Sequence, residues 1–163
     1  MSRYQLAQIN VARLKAPLDS PELKDFVDNL DRINALAESS EGFAWRLKGE
    51  GNDATALRPF GDDIIVNMSV WRDVASLKAF VYQSGHTQIM RRRREWFSRM
   101  EIYMVLWWVP SGHQPTTAEA ATRLEHLRQH GPTPEAFTFG EAFSAPDASQ
   151  PGEPFSFKDA CPA

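Results

Sequence analysis

Between Glu101 and Val109 the chain has no polar face. Ile102, Met104, Leu106 and Trp108 alternate with Tyr103, Val105, Trp107 and Val109. A β-strand points successive side chains to opposite sides. A strand that is apolar on both sides is stable only where both are covered, so this segment reads as a central strand. Any fold for the chain must place a layer on each side of it.

The segments around it have simpler patterns. Tyr4 to Leu14 alternates as a first strand, with Ala7, Ile9 and Val11 facing one way and Leu6, Gln8 and Asn10 the other. Ser20 and Pro21 read as an N-cap followed by proline at the first helical position. Leu23, Phe26, Val27, Leu30, Ile33 and Ala37 then recur at helical spacing. Phe43 to Leu47 reads as a second strand, Gly49 to Gly61 as a loop, and Ile64 to Trp71 as a third strand. Asp73 caps a second helix, which buries Val74, Leu77, Phe80 and Val81. Ser84-Gly85 breaks that helix, and a short one from Thr87 to about Arg99 follows. After the apolar strand, Thr116 or Thr117 caps a helix running to His130, and Ala136 to Phe143 is expected as an edge strand.

The order is β-α-β-β-α-β with additions. This predicts an α+β, ferredoxin-like fold, an antiparallel sheet with helices on one face. The other face needs cover, and a second copy of the chain is the simplest source, which gives a dimeric α/β barrel. Residues 1–145 are expected to form this domain. Residues 146–163, rich in Pro, Ser, Gly and Asp, are expected to be a flexible tail.

Charge and motifs narrow the function. A formal net charge of −3 gives no general attraction to nucleic acid or to an acidic membrane surface. No stretch approaches the roughly 20 apolar residues that span a bilayer, and a cytoplasmic location is the default expectation. Cys161 is the single cysteine, so no intramolecular disulfide can form. The four histidines have no metal-binding spacing. The absence of a Gly-rich phosphate loop, a Gly-x-Ser-x-Gly elbow and a His-Glu-x-x-His pair argues against nucleotide-binding and hydrolase readings. The partners expected are a second copy and a small molecule, with neither nucleic acid nor membrane.

Several residues could carry chemistry. His86, Met90, Arg93 and Phe97 fall on one helical face at steps of four, three and four. If that face lines a chamber, His86 can act as a general base or as an axial haem ligand. Otherwise it caps the Thr87 helix or bonds a backbone carbonyl. Arg91, Arg92, Arg93 and Arg94 go almost once round a helix, so most must be solvated. Arg93 lies beside the apolar stripe, where it can hold a ligand carboxylate or phosphate. The alternatives are a pair with Glu95, Glu101 or Asp73, or a stem laid over tryptophan. Gln8 and Asn10 share one strand face, and Asn67 and Ser69 share another. If these faces meet, they place hydrogen-bonding groups inside an apolar pocket. Of the five tryptophans, Trp107 and Trp108 must point to opposite sides, and most of the five read as core.

The strand-end Trp71-Arg72-Asp73, the helix carrying Leu77, Phe80, Val81 and Tyr82, and Ser84-Gly85-His86 before an arginine-rich segment resemble the DUF3291 proteins. The resemblance covers roughly residues 4–145. It implies the dimeric α/β-barrel superfamily, alongside antibiotic-biosynthesis monooxygenases and haem-degrading enzymes. Some members of that superfamily oxidise aromatic substrates without metal or flavin, using Asn, Trp, Tyr or His groups, and others bind haem through a histidine. The first-strand asparagine of the haem-degrading branch corresponds to Asn10, while its helix tryptophan falls near Tyr82 or Val81. The resemblance thus implies a monooxygenase-like oxidoreductase acting on an apolar or aromatic substrate. His86 and Asn10 would be nearest the reaction, and Arg93, Met90, Phe97, Asn67, Tyr82 and Trp71 would line the site. The cofactor is expected to be none, or haem with His86 as the iron ligand and Arg93 on a propionate. A non-catalytic ligand-binding or interaction module is the remaining alternative.

Overall fold

The computed structural model describes residues 3–49, 51–83, 90–100 and 102–147. The long first strand, β1 (Tyr4–Leu14), runs through the middle of the sheet. After a short 3-10 turn at Pro21–Leu23 come α1 (Lys24–Glu38), β2 (Phe43–Arg46), β3 (Ile64–Trp71) and α2 (Val74–Gln83). The chain continues through α3 (Arg93–Trp96), β4 (Phe97–Ser98), β5 (Met104–Pro110) and α4 (Thr117–His130). All strand pairings are antiparallel. β1 pairs with β3 on one side and with both β4 and β5 on the other, and β2 lies outside β3. The molecule is α+β with the ferredoxin-like element order.

Register decides which side chains meet. Leu6 faces Trp71, Gln8 faces Ser69 and Asn10 faces Asn67 across the β1–β3 pair. The period-2 reading of both strands therefore holds, and the two polar pairs lie on the same face of the sheet. A bulge between Phe43 and Trp45 shifts β2, so that Phe43 opposes Trp71 and Arg46 opposes Ser69. Strict alternation would put Arg46 opposite to Phe43. The extra residue returns it to the same face.

That face is covered by α1 and α2, as expected. Leu6, Trp71 and Leu106 pack there with Ala37 of α1 and with Val74, Leu77 and Phe80 of α2. The other face is closed by the chain itself. Ala120, Leu124 and Leu127 of α4 join Ala7, Ile9, Val11, Met68, Val70, Val105 and Trp107 in one buried cluster, and Ala54, Leu57 and Phe60 of the β2–β3 loop complete it. The expected helices on one face are thus α1 and α2, and α4 forms a layer on the opposite side. Because that face is buried within one chain, a second copy is not needed to cover it.

Other expectations change in detail. β5 is buried on both faces as its pattern demands, yet it is not central: among the described residues β1 is its one partner strand, and its outer edge meets Phe137 through two backbone bonds. Two-sided burial reports the layers above and below a strand, not its neighbours within the sheet. The Ala136–Phe143 segment forms isolated bridges rather than an edge strand. Ser20 does not cap α1. Its hydroxyl donates back to the Pro17 carbonyl, and the 3-10 turn intervenes. Asp73 and Thr116 do cap their helices, accepting from the N–H groups of Ser76 and Glu119 at 2.8 and 3.1 Å. The arginine-rich helix ends at Trp96, and Phe97 passes into β4. No helix among the described residues is long and apolar enough to cross a membrane.

Candidate functional site

A cavity of about 450 Å³ lies between the α1/α2 layer and the sheet. Its floor is polar because four amide and hydroxyl side chains of β1 and β3 share that face. Gln8 is 3% exposed. Its Nε2 donates to Asn67 Oδ1 at 2.9 Å and to Ser69 Oγ at 2.7 Å. Asn10 Nδ2 donates to Gln8 Oε1 at 3.1 Å and approaches Asn67 Oδ1 at 3.4 Å. The indole N–H of Trp71, in a side chain 1% exposed, donates to the same Ser69 hydroxyl at 2.8 Å. The network is closed on its buried side. On the cavity side it is open: among the described residues nothing donates to Asn10 Oδ1, and nothing accepts from Asn67 Nδ2. Asn67 is solvent-exposed, so water reaches the floor there.

The walls are mainly aromatic and aliphatic. Phe43, Trp71 and Phe80 form one end, with Trp71 stacked on Phe80 at 5.2 Å and Phe43 edge-on to Trp71 at 5.4 Å. Phe26, Trp96 and Phe97 form another part of the lining, also within about 5 to 6 Å of one another. Leu30, Ile33 and Ala37 of α1 form the roof together with Asn34. Asn34 is 8% exposed and makes no side-chain hydrogen bond among the described residues. An amide buried without a partner is costly, and this one lines the cavity.

Three arginines reach the lining, by different means. The side chain of Arg46 is buried on β2, where Nε donates to Glu38 Oε1 at 3.0 Å and a terminal nitrogen donates to Asn52 Oδ1 at 3.0 Å. Arg93 has no carboxylate partner among the described residues. Its guanidinium lies over the Tyr103 ring at 4.4 Å and over Phe97 at 5.6 Å. Burial lowers its pKa from the ordinary value, and the charge interaction with Tyr103 acts in the opposite direction. Of the acids expected to neutralise it, Glu95 pairs with Arg92 and Asp73 with Arg72 and Ser76, while Glu101 lies outside the described residues. Of the alternatives for Arg93, stacking on aromatics is present, although it is the guanidinium that lies over the rings and the rings are Tyr103 and Phe97 rather than tryptophan. Arg91 also reaches the lining, whereas Arg92 binds Asp25 and Glu95 and Arg94 is exposed.

Asn10, Asn67, Trp71, Tyr82, Met90, Arg93 and Phe97 all line this one cavity. His86 lies outside the described residues, as do Glu101, Cys161 and the chain after residue 147. The other three histidines are remote from the cavity. His113 accompanies Glu119 at the start of α4, and His126 lies near Thr133 and Glu135. For haem, then, the cavity supplies Arg93 for a propionate but no imidazole among its described residues. The fit rests on His86 alone. No set of three or more metal-ligating side chains occurs among the described residues.

Arg46 and Asn34 are the lining residues the sequence reading missed. Asn34 could have been found, since it sits four residues after Leu30 and three before Ala37, inside the apolar stripe. Arg46 could not, because the bulge that turns it inward leaves no signature in Phe43-Ala44-Trp45-Arg46.

A family model described as a domain of unknown function, DUF3291, matches residues 5–153. The chain belongs to the DUF3291 family. No curated protein matches this DUF3291 chain in sequence. Among solved structures it is similar to a protein of unknown function from Nitrosomonas europaea, at 16% identity and TM-score 0.45, over 70% of this chain and 95% of that one. It is also similar to a variant of SnoaB, a cofactor-independent oxygenase from Streptomyces nogalater, at 13% identity and TM-score 0.44, over 69% and 97% of the two chains. A dabb family protein with a ferredoxin-like fold from Mesorhizobium loti matches at 16% identity and TM-score 0.41, over 69% and 98%. None of these likenesses bears on what the DUF3291 chain binds.

Proposed function

We propose that this protein binds a small, flat, largely apolar molecule that carries a polar group, in the cavity between α1 and the sheet. The observation behind this reading is the combination of aromatic walls with an amide floor whose Asn10 carbonyl and Asn67 amino group are left for a ligand. A volume of about 450 Å³ lies within the usual range for small-molecule sites. Apolar walls supply binding energy, and a few fixed polar groups set orientation.

Oxidation of the bound molecule is the finer reading, with Asn10 at the reacting end and His86, outside the described residues, as the further candidate. A substrate whose CH₂ carbon loses a proton to solvent becomes a delocalised anion that can pass one electron to O₂. The radical and superoxide then combine, take up a proton and lose water to leave a carbonyl, and amide N–H groups beside the substrate oxygen would stabilise the anion. The reading does not require a second copy of the chain, and the particle mass in solution decides between one chain and two.

The test is extraction and mass spectrometry of whatever copurifies, followed by titration of the recovered compound. Leu30→Trp, which fills the roof, should lower its occupancy without unfolding the protein. Recovery of no small molecule, together with no saturable binding of flat apolar probes, would overturn the binding reading. Oxygen uptake with the recovered compound, lost in Asn10→Ala, tests the oxidative step separately.

A further inference from the structure

The geometry points to an amphipathic carboxylate as the ligand class, its planar apolar body between α1 and the sheet and its carboxylate on Arg93. The inference rests on the cavity being a ligand site. It adds charge to that reading.

Arg93 is the first support. Its guanidinium is half-buried among apolar groups and stacked on Tyr103 and Phe97, and no carboxylate answers it among the described residues. A buried charge without a counter-charge is costly. The planar fork of a guanidinium is shaped for the two oxygens of a carboxylate. The lining as a whole is the second support. Arg46, Arg91 and Arg93 contribute cations, against Asp53 as the carboxylate of the described lining. Asp53 is already occupied, because its Oδ1 accepts from the N–H and the hydroxyl of Thr55 at 2.9 and 2.6 Å. Arg46 is held by Glu38. Arg91 is solvent-exposed, which leaves Arg93 as the half-buried cation of the lining without a carboxylate partner among the described residues.

Position gives the third support. Tyr103, under the guanidinium, bonds through its carbonyl to the N–H of Val11 at 2.8 Å, next to Asn10. A carboxylate on Arg93 thus sits near the amide floor at one side of the sheet. The ring system attached to it extends under Leu30, Ile33 and the unpartnered Asn34. Asn34 would meet a second polar atom on that body.

Pyrenebutyrate and pyrenebutanol share a fluorescent apolar body and differ in charge. Pyrene fluorescence titrations on the full chain should show saturable, stoichiometric binding of both, with the carboxylate tighter by roughly tenfold or more, as expected for a charge-assisted hydrogen bond. Arg93→Gln should abolish that preference, bringing the two probes to the same affinity. Arg93→Lys should retain part of it, and Arg94→Gln, at an exposed neighbour, should leave it intact. If the wild-type chain binds the alcohol as tightly as the acid, the carboxylate inference is overturned and the cavity reading survives. If neither probe saturates, both fall. The wild-type ratio decides without any variant, so a failure of Arg93→Gln to fold does not protect the inference.

Discussion

The hydroxyl of Ser69 accepts two hydrogen bonds, from Gln8 Nε2 at 2.7 Å and from the Trp71 indole at 2.8 Å. Ser69→Ala removes both acceptor roles. Gln8 keeps its bond to Asn67, so its loss is partial. Trp71 has no such reserve, and its N–H is left without an acceptor in a side chain that is 1% exposed. Leaving a buried donor unsatisfied costs about 1–3 kcal/mol, and about 2 kcal/mol is the expected net loss. For a chain of this size, that lowers the thermal midpoint by roughly 4–8 °C. The assay is thermal and urea unfolding followed by near-ultraviolet circular dichroism. The Trp71→Phe background supplies the control: with no indole N–H to orphan, Ser69→Ala should cost about half as much or less. An unchanged midpoint, or an equal cost in both backgrounds, refutes the sealed network. Water in the cavity would then be satisfying these groups.

Leu124→Ala, in a fully buried α4 side chain against the second sheet face, should cost about 2–5 kcal/mol in urea unfolding. Gly42 has φ +86°, and a Cβ there would meet Ser76 Oγ at 2.2 Å. Gly42→Ala should therefore destabilise by more than the roughly 1–2 kcal/mol of left-handed backbone strain alone, read as a fall in thermal midpoint. Burial alone would raise the Asp73 pKa, but its bonds from Ser76 and the nearby Arg72 outweigh this and lower it. A folded pKa below the unfolded one contributes stability above the ordinary carboxylate range and loses it as pH falls through the folded value. Asp73→Ala should accordingly show its largest deficit, about 1 kcal/mol, near neutral pH and a smaller one near about pH 3, measured by urea midpoints.

The strands were legible because Ala7, Ile9 and Val11 against Gln8 and Asn10, and Val66 and Met68 against Asn67 and Ser69, alternate with period two. That period assigns faces. It does not say which strands adjoin, so the meeting of Gln8 with Ser69 became visible only through the β1–β3 register. The same limit explains why β5 read as central: Val105, Leu106 and Trp107 record the cover above and below them and say nothing of edges. The stripe of α4 (Ala120, Leu124, Leu127) was readable as buried, while the face it covers depends on the path of the chain after β5. Arg93 stood out because it adjoins an apolar stripe, and its lack of a carboxylate partner required coordinates.

β1 precedes the strands it pairs with, so both its flanks wait for later chain. Gln8 finds Ser69 after 61 intervening steps, and Val109 and Pro110 must emerge before the pairing with Gln5 and Tyr4 can close. Such distant pairings make for slow assembly. The pocket floor cannot exist until β3 has been made, and the sheet around it closes only with β5. A small molecule that occupies it therefore recognises the finished sheet rather than any fragment, and its binding would favour the folded population as a whole.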